Sequence, residues 1–315
     1  MKSTKKVRVR HMLLNGERFI LQPSDNLFPQ VLKKIPDAPK KLYVIGNPYA
    51  LKEGLAVIGA RRATPYGISC AKNFASQAAE QGIVVVSGGA YGCDSAAHRG
   101  ALEVQGRTVV VLGGGCNQIY PAENADLFQE VIDKDGAIIS EQPWNFPPKP
   151  YMFRKRNRIV AALGKAVLIV EAGLPSGTFS TADEALAMNK DVWVVPGAIT
   201  SPMSYGSNRL ILQGATPIID SESFQDALAY LFGTLKMVCV RQLDHGLEPS
   251  GDKAFDGLLE AIRAESLSLD DLYFLIDGEE IEGDKGAWLM EHLILAEQKG
   301  FIARQADGRW GPVYA

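Results

Sequence analysis

Four glycine-rich segments of the chain follow short apolar runs and precede segments of helical length. They are GARRATPYG (59–67), SGGAYGCDSAAH (87–98), GGGCNQIYPAEN (113–124) and EAGLPSGTFSTADEA (171–185). A strand that ends in glycines and leads into a helix presents backbone N–H groups to an anion. The segments therefore predict a phosphate cradle, and tight strand-to-helix turns without a ligand are the alternative.

The standard nucleotide fingerprints do not fit these segments. G-x-G-x-x-G fails at 113–118 because Gln118 stands where the last glycine should be. G-x-x-x-x-G-K-[ST] fails because Gly173 and Gly177 are too close together and no lysine follows them. Neither NAD nor ATP is indicated, and we predict no cofactor.

His98 is a candidate general base, because Asp94 precedes it by one helical turn. No serine or cysteine in a G-x-S-x-G setting stands near it, and a lone histidine among alanines is more often structural. We predict no catalytic residue and no metal site.

The segment EQPWNFPPKPYMFRKRNRIV (141–160) alternates aromatic residues with prolines and then carries four cations, Arg154, Lys155, Arg156 and Arg158. Aromatic side chains beside cations can stack bases and neutralise the phosphates of a single strand. An exposed basic loop with aromatic residues packed beneath it is an equal alternative.

Seven apolar, β-branched runs indicate the elements that must position these residues. They are 56–59, 83–87, 108–113, 137–140, 166–171, 192–196 and 216–220. Helix-length segments separate them, and continuous apolar strands are buried on both faces. The pattern predicts an α/β fold with a doubly wound, mostly parallel sheet, in which ligands bind beyond the carboxyl ends of the strands.

The chain divides into four predicted segments: a lead-in (1–50), an α/β domain (51–236), a linker (237–253) and a winged-helix domain (254–315). Residues 250–315 hold 14 acidic and 6 basic residues, a net charge of −8, which leaves +5 for residues 1–249 of the total −3. The overall charge argues against a uniformly basic nucleic-acid binder. The difference in charge between the two parts indicates that they have different roles.

Four widely spaced cysteines without a C-x-x-C pair predict a reducing, cytoplasmic environment. No apolar run reaches the ~18 residues of a membrane span, so no membrane partner is predicted.

Eight segments resemble the DNA-processing protein A family (DprA, also called Smf), in order and in spacing, over about residues 55–220. They are GARRATPYG, VVSGGAYGCDSAAHRGAL, VVVLGGGCNQIYPAEN, IISEQP, FRKRNRIVAAL, VEAGLPSGTFSTADEAL, VVPG and SYGSNRLILQGA. The resemblance implies an extended Rossmann fold that binds single-stranded DNA without base specificity. It also implies a homodimer that helps to load the RecA recombinase in natural transformation, with no established catalytic activity.

The resemblance also implies which residues act. The expected DNA contacts are Gly59, Arg61, Arg62, Ser87, Gly88, Gly89, Gly113, Gly115, Lys155, Arg156, Asn157, Arg158, Ser176, Gly177 and Thr178. The expected dimer contacts are Leu210, Ile211 and Ile218. In the segment 87–98 we further expect the N–H groups of 87–89 to approach a phosphate and Asp94 to cap the helix that follows.

Two positions depart from the family pattern. Members often have a lysine in the loop after the third motif's Tyr-Pro, whereas 122–126 here holds Glu123 and Asp126. Members commonly have proline where Arg154 stands. The first change opposes DNA and the second favours it. Transformation, another recombination path and phage defence all fit the sequence, and the acidic winged helix is expected to contact a protein.

Two other functions compete with DNA binding. Phosphoribohydrolases of the lysine-decarboxylase-like group share the fold, but their P-G-G-x-G-T-x-x-E signature is offset here, since the first acids after Thr178 are Asp183 and Glu184. A protein-interaction module with a vestigial pocket is the other alternative, supported by the acidic loop 122–126.

Overall fold

The computed structural model describes residues 13–174, 176–234, 252–264, 266–278, 281, 283–299, 301–305 and 308–312. The chain divides into two compact units, Met1–Met237 and Val238–Ala315. Most of the predicted linker (237–253) lies outside the described residues. The predicted domain boundaries stay predictions.

In the described part of the first unit, nine strands form one sheet. They are β1 (Arg18–Leu21), β2 (Leu42–Gly46), β3 (Gly54–Ile58), β4 (Val85–Ser87), β5 (Thr108–Val111), β6 (Ala137–Ser140), β7 (Gly164–Ile169), β8 (Asp191–Val194) and β9 (Thr216–Pro217). The order across the sheet is β1-β2-β6-β5-β4-β3-β7-β8-β9. Strands β3 to β9 pair with one another only in parallel. The predicted α/β fold with a mostly parallel sheet is confirmed.

Strands β1 and β2 come from the predicted lead-in, where the sequence analysis assigned no strand. β2 pairs antiparallel with β6, and β1 pairs antiparallel with β2 at the edge of the sheet. Prolines on both sides of LYVIG make β2 look like irregular chain. Burial of Leu42, Val44 and Ile45 against the sheet decides in favour of a strand.

Helices cover both faces of this sheet. They are α1 (Pro65–Glu80), α2 (Cys93–Glu103), α3 (Ala125–Asp133), α4 (Pro150–Leu163), α5 (Thr178–Ala187), α6 (Tyr205–Leu212) and α7 (Ser221–Phe232). In β3, Leu55 and Val57 pack into one core with α1, α2 and α7. Ala56 and Ile58 point to the opposite core with α4 and α5. A strand buried on both faces explains the continuous apolar runs.

The winding changes direction at β3. The chain places β4, β5 and β6 on one side of β3 and then returns to place β7, β8 and β9 on the other. The carboxyl ends of β3 and β7 therefore flank the topological switch point, where open α/β sheets usually bind their ligands.

In the described part of the second unit, three helices precede a two-stranded antiparallel sheet. They are α8 (Lys253–Ala264), α9 (Leu269–Ile276) and α10 (Lys285–Gln298), with strands β10 (Ile302–Arg304) and β11 (Trp310–Pro312). Leu259, Leu272, Leu293 and Trp310 belong to its own hydrophobic core. The elements follow the predicted order, and their assignment to a winged helix stays a prediction. Among the described residues of both units, none of the helices has the length and apolar character to cross a membrane.

His98 lies in the core rather than at a site. Its Nδ1 is 2.7 Å from the Thr108 hydroxyl oxygen, and that hydroxyl donates to the Val85 carbonyl. Burial, with a smaller effect of the Arg156 charge, lowers the pKa of His98 to about 3. A neutral histidine that joins α2 to β5 has a structural role.

Candidate nucleic-acid interface

A small pocket opens at the carboxyl ends of β3, β4 and β5. Its walls, which we call the Arg61 pocket, are Arg61, Gly88, Ala90, Tyr91, Tyr120, Pro121, Phe153 and Arg156. Three strand ends supply the first six residues and α4 supplies the last two. The carboxyl edge of the parallel sheet thus brings together residues that lie up to 95 positions apart in the sequence.

Arg61 and aromatic rings form the open side of the pocket. The guanidinium carbon of Arg61 lies 5.3 Å from the ring centre of Phe153, within the range of a cation–π contact. The ring of Phe153 packs against that of Tyr120, with centres also 5.3 Å apart. Arg61, Tyr91 and Tyr120 are exposed. An exposed cation beside accessible rings suits a phosphate next to an unstacked base.

A buried arginine forms the floor of the pocket. A Cβ atom on Gly88 would lie 2.2 Å from Arg156 Nη1 and 2.6 Å from Asp94 Oδ2, so only glycine lets both side chains reach this place. Arg156 Nη1 donates to the Val111 carbonyl at 2.5 Å. Burial lowers the pKa of Arg156 to about 10 and raises the pKa of Asp94. Arg156 therefore remains charged at neutral pH, and it lies next to Asp94 beneath the pocket.

The usual ligand crevice at the switch point is filled by the protein itself. Glu171, just after β7, is 2% exposed and accepts hydrogen bonds from the Thr64 N–H and hydroxyl, at 2.8 and 2.7 Å. Thr64 in turn caps the N-terminus of α1 by accepting from the Gly67 N–H. A carboxylate already occupies the position that favours an anion. The N-terminus of α1 is therefore not open to a phosphate in this structure.

The predicted phosphate-facing turn is buried. Ser87 donates its hydroxyl to the Val57 carbonyl, and Gly89 packs against Val110 and Phe128 where a side chain would not fit. Gly88 lines the Arg61 pocket, whereas Ser87 and Gly89 are buried beside it and do not form an open cradle. Their glycines are required by close packing and by the positive φ of Gly89.

At the other glycine-rich strand ends, the lack of a side chain likewise lets other segments of the same chain pack closely. A Cβ atom on Gly59 would lie 2.5 Å from Cys93 Sγ. On Gly113 it would meet the Phe153 ring at 2.9 Å, and on Gly115 it would meet the Pro143 carbonyl at 2.0 Å. These glycines therefore let α2, α4 and the segment before α4 pack directly on the strand ends.

Asp94 does not cap α2 as the sequence analysis expected. The N-cap residue is Gly92, which has no side chain to accept a hydrogen bond. Asp94 lies in the first turn, and its Oδ2 accepts from the Ala90 N–H at 3.2 Å, before the helix begins. Its carboxylate braces the turn that carries Ala90 and Tyr91 into the pocket.

The basic segment forms the first turns of α4, and its predicted contact residues have different environments. Arg158 is buried and forms an ion pair with Glu141 at 2.7 Å. Asn157 donates to the Ser180 hydroxyl at 2.8 Å and thereby joins α4 to α5. Lys155 is exposed and lies 3.2 Å from Asp37, and its hydrogen bond holds the pKa of that carboxyl below its usual range. Arg158 and Asn157 connect elements instead of facing solvent.

At the start of α5, the polar groups of Ser176 and Thr178 form hydrogen bonds with each other. The Ser176 hydroxyl donates to Thr178 Oγ1 at 2.9 Å, and the Thr178 N–H donates to Ser176 Oγ at 3.2 Å. Gly177 is exposed between them. This predicted contact set lies outside the walls of the Arg61 pocket, as does the exposed Arg62.

The acidic loop reaches the rim of the Arg61 pocket. The Tyr91 hydroxyl donates to the Glu123 carboxylate, which raises the pKa of Tyr91 to about 12 and lowers the pKa of Glu123. An ionised carboxylate is thereby held beside a wall residue of the pocket. Its field opposes an incoming phosphate.

Glu123→Gln is therefore expected to strengthen single-stranded DNA binding by about two- to fivefold, because it removes this rim charge but keeps an acceptor for Tyr91. The gain should shrink as salt is added. Titration of labelled oligo-dT at two salt concentrations measures it, with Glu103→Gln on α2 as the control. Equal affinities for wild type and Glu123→Gln at low salt would show that the acidic loop does not oppose DNA.

Two of the three predicted dimer contacts face the core of their own subunit. Leu210 is 6% exposed and Ile218 is 1% exposed, and each belongs to one of the two cores of the sheet. Ile211 is partly buried. The exposed apolar side chains of this segment are Leu212, at 88%, and Ile219, at 71%. The apolar character of the segment was visible in the sequence, but the side that faces solvent was not.

Comparison with known proteins finds matches to one family of DNA-processing proteins. A profile of the family DNA recombination-mediator protein A matches residues 19–229. Protein Smf of Escherichia coli is 40% identical over 212 residues, which cover 67% of this chain and 57% of that protein. A putative DNA processing protein DprA of Mycobacterium tuberculosis is 36% identical over 286 residues, which cover 87% of this chain and 68% of that protein.

Among the solved structures that resemble this chain are two of DNA processing protein A. DNA processing protein A of Streptococcus pneumoniae matches with a TM-score of 0.63 and 33% identity, over 68% of this chain and 75% of that one. DNA processing protein A of Helicobacter pylori, whose structure concerns its single-stranded DNA binding mode, matches with a TM-score of 0.62 and 33% identity. That match covers 70% of this chain and 99% of the other.

Proposed function

Because the chain belongs to the DNA recombination-mediator protein A family, we propose that it is a cytoplasmic protein that binds single-stranded DNA without base specificity. It protects incoming DNA and assists RecA loading in natural transformation or recombination. It holds DNA and performs no chemistry on it. The Helicobacter pylori relative, whose structure concerns a single-stranded DNA binding mode, supports the ligand class.

The observation that carries the proposal is the Arg61 pocket. An exposed arginine lies against the ring of Phe153, Tyr120 packs on that ring, and a second arginine lies beneath them. Cations bind any phosphate, and aromatic faces stack on any base, so these groups select for a single strand and not for a sequence. Bases inside a duplex are already stacked and cannot reach the rings.

Binding of labelled oligo-dT and of a duplex of equal length, followed by fluorescence anisotropy over a salt series, tests the proposal. We expect tighter binding of the single strand and a linear fall of log K with log salt. Equal affinity for the duplex, or no binding at low salt, would contradict it. A higher rate of RecA filament assembly on single-stranded DNA in the presence of the protein would test the RecA role separately.

We also propose that the protein forms a homodimer through the segment 210–219. Leu212 and Ile219 are large apolar side chains with little cover in the single chain, and a two-fold axis would place each patch against its copy. Light scattering of the wild type is expected to give twice the chain mass, and Leu212→Glu is expected to give a monomer. A wild-type monomer at micromolar concentration would contradict the dimer.

The second unit is proposed to bind a protein rather than DNA. Its net charge opposes phosphates. Its helix α9 exposes Tyr273, Phe274 and Leu275, with Phe274 80% exposed. Apolar side chains at this exposure, on a helix whose first turn carries Asp270 and Asp271, are typical of a protein-contact surface.

A further inference from the structure

A second cleft lies on the other side of α4 from the Arg61 pocket. It has a volume of about 440 Å³, and we call it the outer cleft. Its apolar walls are Ile35, Pro36 and Met188, and its polar rim includes Tyr151, Arg154 and Lys155. We propose that the outer cleft is a second contact site for the same single strand of DNA. The proposal rests on the proposed function and extends the DNA path beyond the Arg61 pocket.

The two sites use opposite faces of one helix. Residues 151, 154, 155 and 158 recur at the spacing of a single α-helical face, and they line the outer cleft. Phe153 and Arg156 lie on the other face and line the Arg61 pocket. A helix is about 10–12 Å thick with its side chains. A strand that leaves one site can therefore reach the other by crossing the N-terminal end of α4.

The composition of the outer cleft matches a nucleotide. Tyr151 is exposed and presents a ring beside the apolar wall, as a stacked base requires. Arg154 is exposed, and the described residues offer it no ion-pair partner. Its charge is therefore free to meet a phosphate.

The acids of the cleft leave this charge available. Arg158 forms an ion pair with Glu141, and Asp37 lies within ion-pair distance of both Lys155 and Arg158. The Asp37 carboxylate is mostly exposed, and an exposed ion pair contributes little, so a phosphate can replace it at Lys155. Glu184 is the other acid of the cleft. Because Glu141 neutralises Arg158, the remaining cations Arg154 and Lys155 balance the carboxylates Asp37 and Glu184 in number. Arg154 is the cation of the walls for which the described residues show no ion pair, so it carries the attraction for a phosphate.

A cation also marks the crossing point between the two sites. Lys149 is exposed at the residue before α4, where the strand would pass, and its amino group lies 5.4 Å from the Phe146 ring centre. The path thus has a cation beside an aromatic ring at each stage, namely Arg61 with Phe153, Lys149 with Phe146, and Arg154 with Tyr151. Repetition of this pair along a groove is the mode by which proteins track a single strand.

A length series tests the outer cleft. Affinity of the full chain for oligo-dT of about 4, 8 and 16 nucleotides, a range that spans known single-strand sites, is compared for wild type and Tyr151→Ala/Arg154→Ala. We expect the smallest loss for the shortest oligonucleotide, because it can contact the Arg61 pocket without the outer cleft. For the longest, we expect a loss of at least about fivefold, because one stacking contact and one phosphate contact are removed.

The control is Tyr49→Ala/Lys52→Ala, which removes an exposed tyrosine and an exposed cation that precede β3, at the amino edge of the sheet. It should bind every length as the wild type does. Equal loss at all lengths in the outer-cleft variant, or no loss at any length, would overturn the second site while leaving the Arg61 pocket intact. Failure of the wild type to bind any length would instead overturn the proposed function.

Discussion

Arg61→Ala is expected to weaken single-stranded DNA binding by about tenfold or more. The substitution removes the exposed guanidinium of the Arg61 pocket and its contact with the Phe153 ring, so a phosphate contact and the support of a stacking surface are lost together. The slope of log K against log salt should fall by about 0.7, the value for one phosphate contact on a single strand. Anisotropy with oligo-dT over a salt series measures both quantities.

Arg61→Lys and Arg99→Ala sharpen this experiment. Lysine retains the charge but not the planar group that lies over Phe153, so Arg61→Lys should keep the salt slope and recover only part of the affinity. Arg99 is an exposed arginine on α2, and Arg99→Ala removes one charge outside the pocket. If both alanine variants weakened binding equally, the effect would be one of overall charge, and the pocket would not be the site.

Glu171→Ala is expected to lower the free energy of unfolding by about 3 kcal/mol, because two hydrogen bonds to a buried carboxylate are lost. The Thr64 N–H and hydroxyl lose their acceptor, and Thr64 is the cap of α1. Glu171→Gln retains one acceptor oxygen for these two donors and should lose about half as much. Urea unfolding of the three proteins gives the values.

The anion-site interpretation of Glu171 has its own test. Once the carboxylate is removed, the N-terminus of α1 is free to bind another anion, and inorganic phosphate should then raise the unfolding midpoint of Glu171→Ala but not of the wild type. Glu17→Ala, an exposed glutamate in a loop, should leave the midpoint unchanged. If phosphate left the unfolding midpoint of Glu171→Ala unchanged, the anion-site interpretation would be wrong. If Glu171→Ala unfolded at the same midpoint as the wild type without phosphate, α1 would not depend on this carboxylate.

The sequence predicted the sheet because burial on both faces leaves a mark in every strand. A run such as TVVVLG (108–113) has no polar alternation, and a parallel strand between two helical layers requires that pattern. It missed β2, because five residues between prolines carry too little signal. The pairing of β2 with β6 joins residues 43 and 140, a contact that no local pattern reports.

For the candidate site, the sequence identified the cations and aromatic rings but not which of them face solvent and which are buried. Arg154, Arg156 and Arg158 look equivalent in FRKRNR. In the fold they are an exposed cation, a buried pocket floor and an internal ion pair. Burial of a charge depends on which elements cover it, and those elements come from distant parts of the chain.

Glycine illustrates the same division. The sequence showed glycine-rich segments at four strand ends, and it predicted a phosphate cradle there, with tight turns as the alternative. What approaches was decided by tertiary structure: Arg156 at Gly88, the Phe153 ring at Gly113 and the Pro143 carbonyl at Gly115.

By itself, then, the sequence determined the fold class, and it predicted the carboxyl edge as the place of the candidate site and the residue types that suit a single strand. These follow from local composition and from the period of burial, which each segment carries within itself. Only the tertiary structure decided that Glu171 closes the switch-point crevice and that α4 separates two clefts. Both depend on residues more than 100 positions apart meeting in space, Thr64 with Glu171 and Asp37 with Lys155.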